Sequence, residues 1–147
     1  MELTDKQISD IETAGLLHYI GKIGIGDNVL LKPGKLTNEE FDIIKSHPEK
    51  AVKILESVED LKDIIPIIAA HHERYDGKGY PNGLKGEEIH LGARIIAVAD
   101  TFDAMTTKRV YRDAKDKKVS IEEIITCSGT QFDPQVVETF LEIACSL

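Results

Sequence analysis

Residues 60–105 read DLKDIIPIIAAHHERYDGKGYPNGLKGEEIHLGARIIAVADTFDAM, and this stretch decides the fold. A helix starting near Asp60 carries Ile64, Ile65, Ile67 and Ile68 into His71-His72-Glu73. From Tyr75 to Ile89 the chain turns irregular, with Gly77, Gly79, Pro81, Gly83 and Gly86 close together. Long glycine-rich loops in compact domains are more often functional than decorative. Helical spacing then resumes from Leu91 through Met105.

Working outward, Thr4-Asp5-Lys6-Gln7 reads as a capping box, in which the Thr hydroxyl accepts an amide hydrogen bond and Gln7 reaches back. It opens a helix that runs to about Tyr19, with Ile8, Ile11, Gly15 and His18 on one side. Gly21 to Lys35 reads as loop, ending in the Pro33-Gly34 turn signal. Thr37-Asn38-Glu39-Glu40 is a second capping box, for a helix toward Ser46. Pro48 places a corner at His47 and then starts a helix reaching about Ser57. Ser120-Ile121-Glu122-Glu123 reads as a third capping box, and Asp133-Pro134 as a fourth helix start. Nothing alternates at period two for long enough to suggest a sheet, so the expected fold is all-α.

Length and composition narrow the function classes. The 147 residues fit one domain. Eighteen basic against twenty-six acidic side chains give a net charge of −8, which argues against a binder of nucleic-acid polymers or anionic membranes. Hydrophobic residues at 41% supply a core, while aromatic residues at 5% leave it to Ile, Leu, Val and Ala. The longest apolar run, Ile64 to Ala70, is far short of a membrane span. No targeting segment is visible at residues 1–10, and Cys127 and Cys145 form no short-spaced pair, which together point to a reducing cytoplasm.

Several residues could carry chemistry. His71 and His72 are adjacent at a helix end, so both can serve one site only if it lies over that end. His18 closes the first helix and His47 sits on a corner. Asp100 follows the apolar run Ile95 to Ala99, where an unpaired carboxylate would cost several kcal/mol. It needs a metal or a strong donor, and Arg94 is one candidate. Histidine and carboxylate together suit iron, manganese, nickel or zinc better than calcium. Hydrogen-bonded packing or capping is the competing explanation for His18 and His47, and His90 reads as a surface or capping residue. Between Lys108 and Lys118 six basic residues stand against two acidic ones, and Arg109 and Arg112 share a helical face at i, i+3. That strip could hold phosphate or could be a solvated loop.

The run His71-His72-Glu73-Arg74-Tyr75-Asp76-Gly77-Lys78-Gly79-Tyr80-Pro81 through Gly86 resembles the signature of the HD-GYP domain, a branch of the HD phosphohydrolase superfamily. The likeness continues through Ala93-Arg94-Ile95, Ala99 to Ala104, Arg109 to Arg112 and Ser128 to Pro134. Upstream, Leu16 to Ile25 is similar to the segment carrying the family's His-Asp dyad. The resemblance implies an all-α HD-superfamily bundle with a long glycine-rich GYP loop and a two- or three-metal centre of iron or manganese. It implies hydrolysis of cyclic di-GMP or a related phosphodiester. Carried over by motif, His18, His47, His71, His72 and Asp100 are metal ligands. Lys22, Arg109, Arg112 and Tyr80 contact substrate, and Lys22 and Asp100 are the catalytic candidates. The Tyr80 loop is also the expected contact for a diguanylate cyclase domain, and homodimerisation is left open.

Two departures follow. Tyr19 stands where the dyad has its metal-bridging aspartate, and the chain starts directly at the dyad helix, so one upstream helix of the full domain is expected to be missing. The readings to separate are an HD-GYP-type phosphodiesterase and a degenerate module that binds nucleotide or a partner without turnover.

Overall fold

The computed structural model describes residues 1–108 and 113–144. The chain forms α1 (Asp5–Leu17), α2 (Asp27–Leu30), α3 (Asn38–Lys45), α4 (His47–Leu55), α5 (Ile65–Ala70), α6 (Leu91–Thr106), α7 (Lys117–Thr126) and α8 (Pro134–Ala144), with 3-10 turns at Ile20–Gly24, Glu59–Ile64 and Gly86–Glu88. Among the described residues there is no strand, only a single bridge between Ser128 and Phe132. The all-α expectation holds. No helix among them is long and apolar enough to cross a membrane.

Both Thr capping boxes form as expected, Thr4 with Gln7 and Thr37 with Glu40. His90 caps α6, its Nδ1 accepting the Gly92 N–H at 3.0 Å. The box expected at Ser120 does not form. Asp116 caps the helix one turn earlier by accepting from Lys118 N, and Ser120, fully buried, donates its hydroxyl back to the Asp116 carbonyl at 3.0 Å. A stronger acceptor already on the preceding turn takes the cap. The loop expected over Gly21 to Lys35 contains the 3-10 turn and the short α2, because Gly26 N-caps a single helical turn whose Val29 is buried.

Two apolar clusters meet along α6. Ala14, Ala51, Ile67, Ile68, Ala93 and Ile96 belong to one, built around the short, nearly all-apolar α5. Val98, Met105, Ile124, Phe132, Val136 and Val137 form the other, under α7 and α8. An ion pair between Arg94 of α6 and Asp133, both largely buried, joins the ends of the two clusters. The other Asp133 carboxylate oxygen accepts the Gln135 N–H at 2.8 Å, so one side chain caps α8 and docks it on α6. Arg94 is therefore committed to Asp133 and does not serve Asp100.

The turn after α1 packs against α4 through bare backbone. A Cβ at Gly21 would lie 1.9 Å from the His47 carbonyl oxygen and 2.7 Å from the Ala51 nitrogen. Both are main-chain atoms, which cannot swing away. Gly21→Ala is therefore expected to destabilise the fold by about 3 kcal/mol, toward the upper end of overpacking costs. The shift in the urea unfolding midpoint checks this.

Candidate metal centre

Three histidine rings approach one another from three elements. His18 follows α1, His47 opens α4 and His71 ends α5. Each places its Nδ1 on the carbonyl three residues back: Gly15 O at 2.6 Å, Ile44 O at 2.8 Å and Ile68 O at 2.6 Å. A carbonyl can only accept, so each Nδ1 carries a proton, and the neutral His47 and His71 each present a lone pair on Nε2. Those lone pairs turn inward. His47 Nε2 lies 3.2 Å from His71 Nε2, and with both protons on Nδ1 neither nitrogen has one to offer the other. Ligand atoms of His47, His71 and His72 all fall within 4.8 Å of one another, and among the described residues this is the group able to hold a metal ion. His18 Nε2 is buried without a hydrogen-bond partner. Convergent imidazole lone pairs with oriented Nδ1 donors are what a transition-metal ion requires, so the residues fit a metal.

The electrostatics agree. Burial first, then the neighbouring His72, holds His71 far below the usual imidazole range, at about 3. Burial and His47 push His72 down to about 4. His47 is lowered too, chiefly by burial. All three are neutral near pH 7, the state in which they can ligate.

Asp100 reaches the same region from α6. Its Oδ1 accepts a short hydrogen bond from the Tyr19 hydroxyl and lies 3.7 Å from His18 Nε2. Burial raises the Asp100 carboxyl, but His18 and Tyr19 outweigh it and leave the group well below the usual carboxylate range. Asp100 thus finds its strong donor in Tyr19. Lys22 Nζ stands 3.6 Å from the centroid of the Tyr19 ring, close enough for a cation–π contact. A small cavity of about 50 Å³, lined in part by His71, His72, Asp100 and Gln131, opens beside the cluster. It has room for water or an ion and none for a nucleotide, so larger ligands must lie over its mouth.

The glycine-rich loop closes one side. Tyr80 stacks on His72 with centroids 4.9 Å apart and 25° between the rings. Burial and the Asp100 charge push its phenol up to about 12, so it stays protonated. The loop is held by Glu73, a buried carboxylate that accepts Asn82 N at 2.7 Å and Leu84 N at 3.1 Å. Gly79 lets the chain pass against this point, since a Cβ there would lie 2.3 Å from Arg74 N. Arg74 pairs with Asp76 and reaches Gln131 Oε1 at 3.1 Å, tying the loop to the turn before α8.

The structure therefore gathers His18, His47, His71, His72, Asp100, Tyr80 and Lys22. Arg109 and Arg112 lie outside the described residues. Within the basic strip, Lys115 pairs with Glu123 at 2.5 Å and Lys108 lies 3.5 Å from Asp113. The sequence reading missed Glu73 as the loop clamp and Arg94 as Asp133's partner. A carboxylate next to two histidines and before a glycine-rich run was the available signal for the first. Nothing in the spacing signalled the second.

Known proteins can now be set beside this geometry. The family model described as "HD domain" matches residues 1–136. This chain belongs to the HD domain family. It is 45% identical over 145 residues to a cyclic di-GMP phosphodiesterase of Thermotoga maritima, covering 97% of this chain and 39% of that protein. It is 42% identical over 142 residues to the 3′3′-cGAMP-specific phosphodiesterase 2 of Vibrio cholerae, covering 95% of this chain and 27% of that one. The chain thus spans well under half the length of these relatives. Among solved structures, a cyclic GMP-AMP specific phosphodiesterase of V. cholerae superposes with a TM-score of 0.74 at 20% identity, covering 97% of this chain and 39% of that one. An HDGYP protein from Bdellovibrio bacteriovorus gives 0.73 at 20%, covering 95% and 45%. The HD-GYP resemblance read from the sequence is borne out, and with it the helical HD-type fold.

Two outcomes test the HD-domain site. His71 and His72 bind protons more weakly folded than unfolded, so below about pH 6.5 the unfolded chain takes up more protons than the folded one. In chelator-treated protein, stability should fall as the pH drops from about 6.5 toward 4, seen as a falling urea midpoint. Glu73→Ala leaves two loop N–H groups without their acceptor and should cost about 1–3 kcal/mol for each that stays buried, read from the same midpoint.

Proposed function

We propose that this HD domain is a metal-dependent phosphodiesterase acting on a cyclic dinucleotide. The observation that carries the reading is the convergence of His47, His71 and His72, neutral near pH 7, with the first two rings fixed by backbone carbonyls. His47, His71 and His72 would hold a divalent ion, with iron or manganese suited to the donors. Such an ion supplies Lewis-acid polarisation of a phosphoryl oxygen and acidifies bound water toward neutral pH.

The chain's own residues then divide the work. Asp100, kept ionised by Tyr19 and His18, offers an acceptor at the edge of the histidine cluster. Lys22 brings positive charge to the same side, where charge grows on phosphate oxygens. Tyr80, protonated and stacked on His72, borders the mouth and is placed to donate to a phosphate or stack with a base. Arg109 and Arg112 complete the substrate contacts on the strength of the motif alone. Relatives named as cyclic di-GMP and 3′3′-cGAMP phosphodiesterases support a cyclic dinucleotide as the substrate class.

The Tyr19 hydrogen bond favours a second reading. A phenol on Asp100 ties up an oxygen that metal chemistry could use, which suits a module that binds nucleotide or a partner without turning it over.

Turnover decides between them. Protein purified without oxygen and loaded with Mn²⁺ or Fe²⁺ should release linear product from cyclic di-GMP or 3′3′-cGAMP, followed by chromatography. His72→Ala should lower the rate by more than about 100-fold, beyond the effect of losing a residue that only supports a ligand. Metal-loaded protein that binds a cyclic dinucleotide by calorimetry and never cleaves it would instead establish the second reading.

A further inference from the structure

We infer that this centre holds one metal ion per chain, on His47, His71 and His72, and that Tyr19 closes the adjoining His18–Asp100 pair to a second ion. The inference rests on the metal-dependent reading above and concerns its stoichiometry, which departs from the two- or three-metal centre implied by the resemblance.

The histidine group is complete as a site. Its three ligand atoms lie within 4.8 Å of one another, and the 3.2 Å approach of two lone-pair nitrogens suits a cation shared between them. The neighbouring pair is not. His18 Nε2 and Asp100 Oδ1 offer two ligand atoms 3.7 Å apart, and the Tyr19 hydroxyl already sits on that same Oδ1. Its position is steadied by the Lys22 ammonium, 3.6 Å from its ring centroid, and by the His18 ring at 3.9 Å.

Charge points the same way. Two dications a few ångströms apart repel strongly away from bulk water, and a carboxylate between them is what offsets that repulsion. Of the acidic side chains at this site, Glu73 is turned away onto Asn82 N and Leu84 N. Among the described residues Asp100 then remains, and the hydroxyl at position 19 adds no negative charge. The Lys22 cation opposes a second metal further.

Counting metal tests this directly. Chelator-treated protein is titrated with Mn²⁺, with bound metal measured by mass spectrometry after gel filtration and free Mn²⁺ by electron paramagnetic resonance. One ion per chain is expected for the wild type. His18→Ala should keep that ion with affinity changed less than about 3-fold, whereas His72→Ala should weaken it more than about 100-fold. Tyr19→Asp should raise the count to two. Two ions in the wild type, or loss of the single ion in His18→Ala, would overturn the proposal. A Tyr19→Asp protein that folds by circular dichroism yet stays at one ion would overturn the role given to Tyr19. No bound metal at all would sink both this proposal and the metal-dependent reading. One ion without turnover would sustain the proposal and defeat only the catalytic claim. The wild-type count needs no variant, so misfolding cannot shelter the proposal.

Discussion

Three of the four histidines at this site depend on a small repeated constraint: an imidazole donating its Nδ1 proton to the carbonyl three residues back. It occurs at His18, His47 and His71, each at a helix terminus or corner, where that carbonyl has lost its usual helical partner. One bond therefore does two things. It satisfies an orphan acceptor of the helix end, and it fixes which nitrogen faces the interior. Helix ends are placed by apolar packing, so the direction of each lone pair is set by the core.

The core is arranged to bring those ends together. α5 is short and nearly all apolar, so it is enclosed by α1, α4 and α6 and can only end at the centre of the bundle. α6 runs through both apolar clusters, and Asp100 lies between Val98 and Met105 of the second, with its Oδ1 3.7 Å from His18 Nε2. The Arg94–Asp133 pair fixes α6 against α8, and Glu73 with Arg74 holds the loop so that Tyr80 stays on His72.

Local features of this arrangement were legible in the sequence, and long-range ones were not. The capping boxes at Thr4 and Thr37, the corner at His47, the capping role of His90 and the Asp133-Pro134 start were all readable, because each is decided within four residues. Ser120 was misread for the same reason in reverse: its own pattern fits a cap, but Asp116 a turn earlier competes and wins. The partner of Asp100 could not be read. Arg94 lay close in sequence, yet the donor is Tyr19, eighty-one positions away, and Arg94 answers Asp133 instead. The gathering of the histidines was legible only through the family motif, since spacing alone favoured packing or capping over ligation.

The bare contact at Gly21 has a consequence for how such a domain can vary. At Gly21 the joint to α4 is made by main-chain atoms, so that contact does not depend on which side chains α4 carries outward at Glu49 or Lys53. Those outer positions can drift, acquiring new surface charge or new binding partners, while the inner histidines keep their relative placement. Position 21 has no such latitude. A single residue without a side chain thus lets the exterior of the domain diversify around a fixed interior.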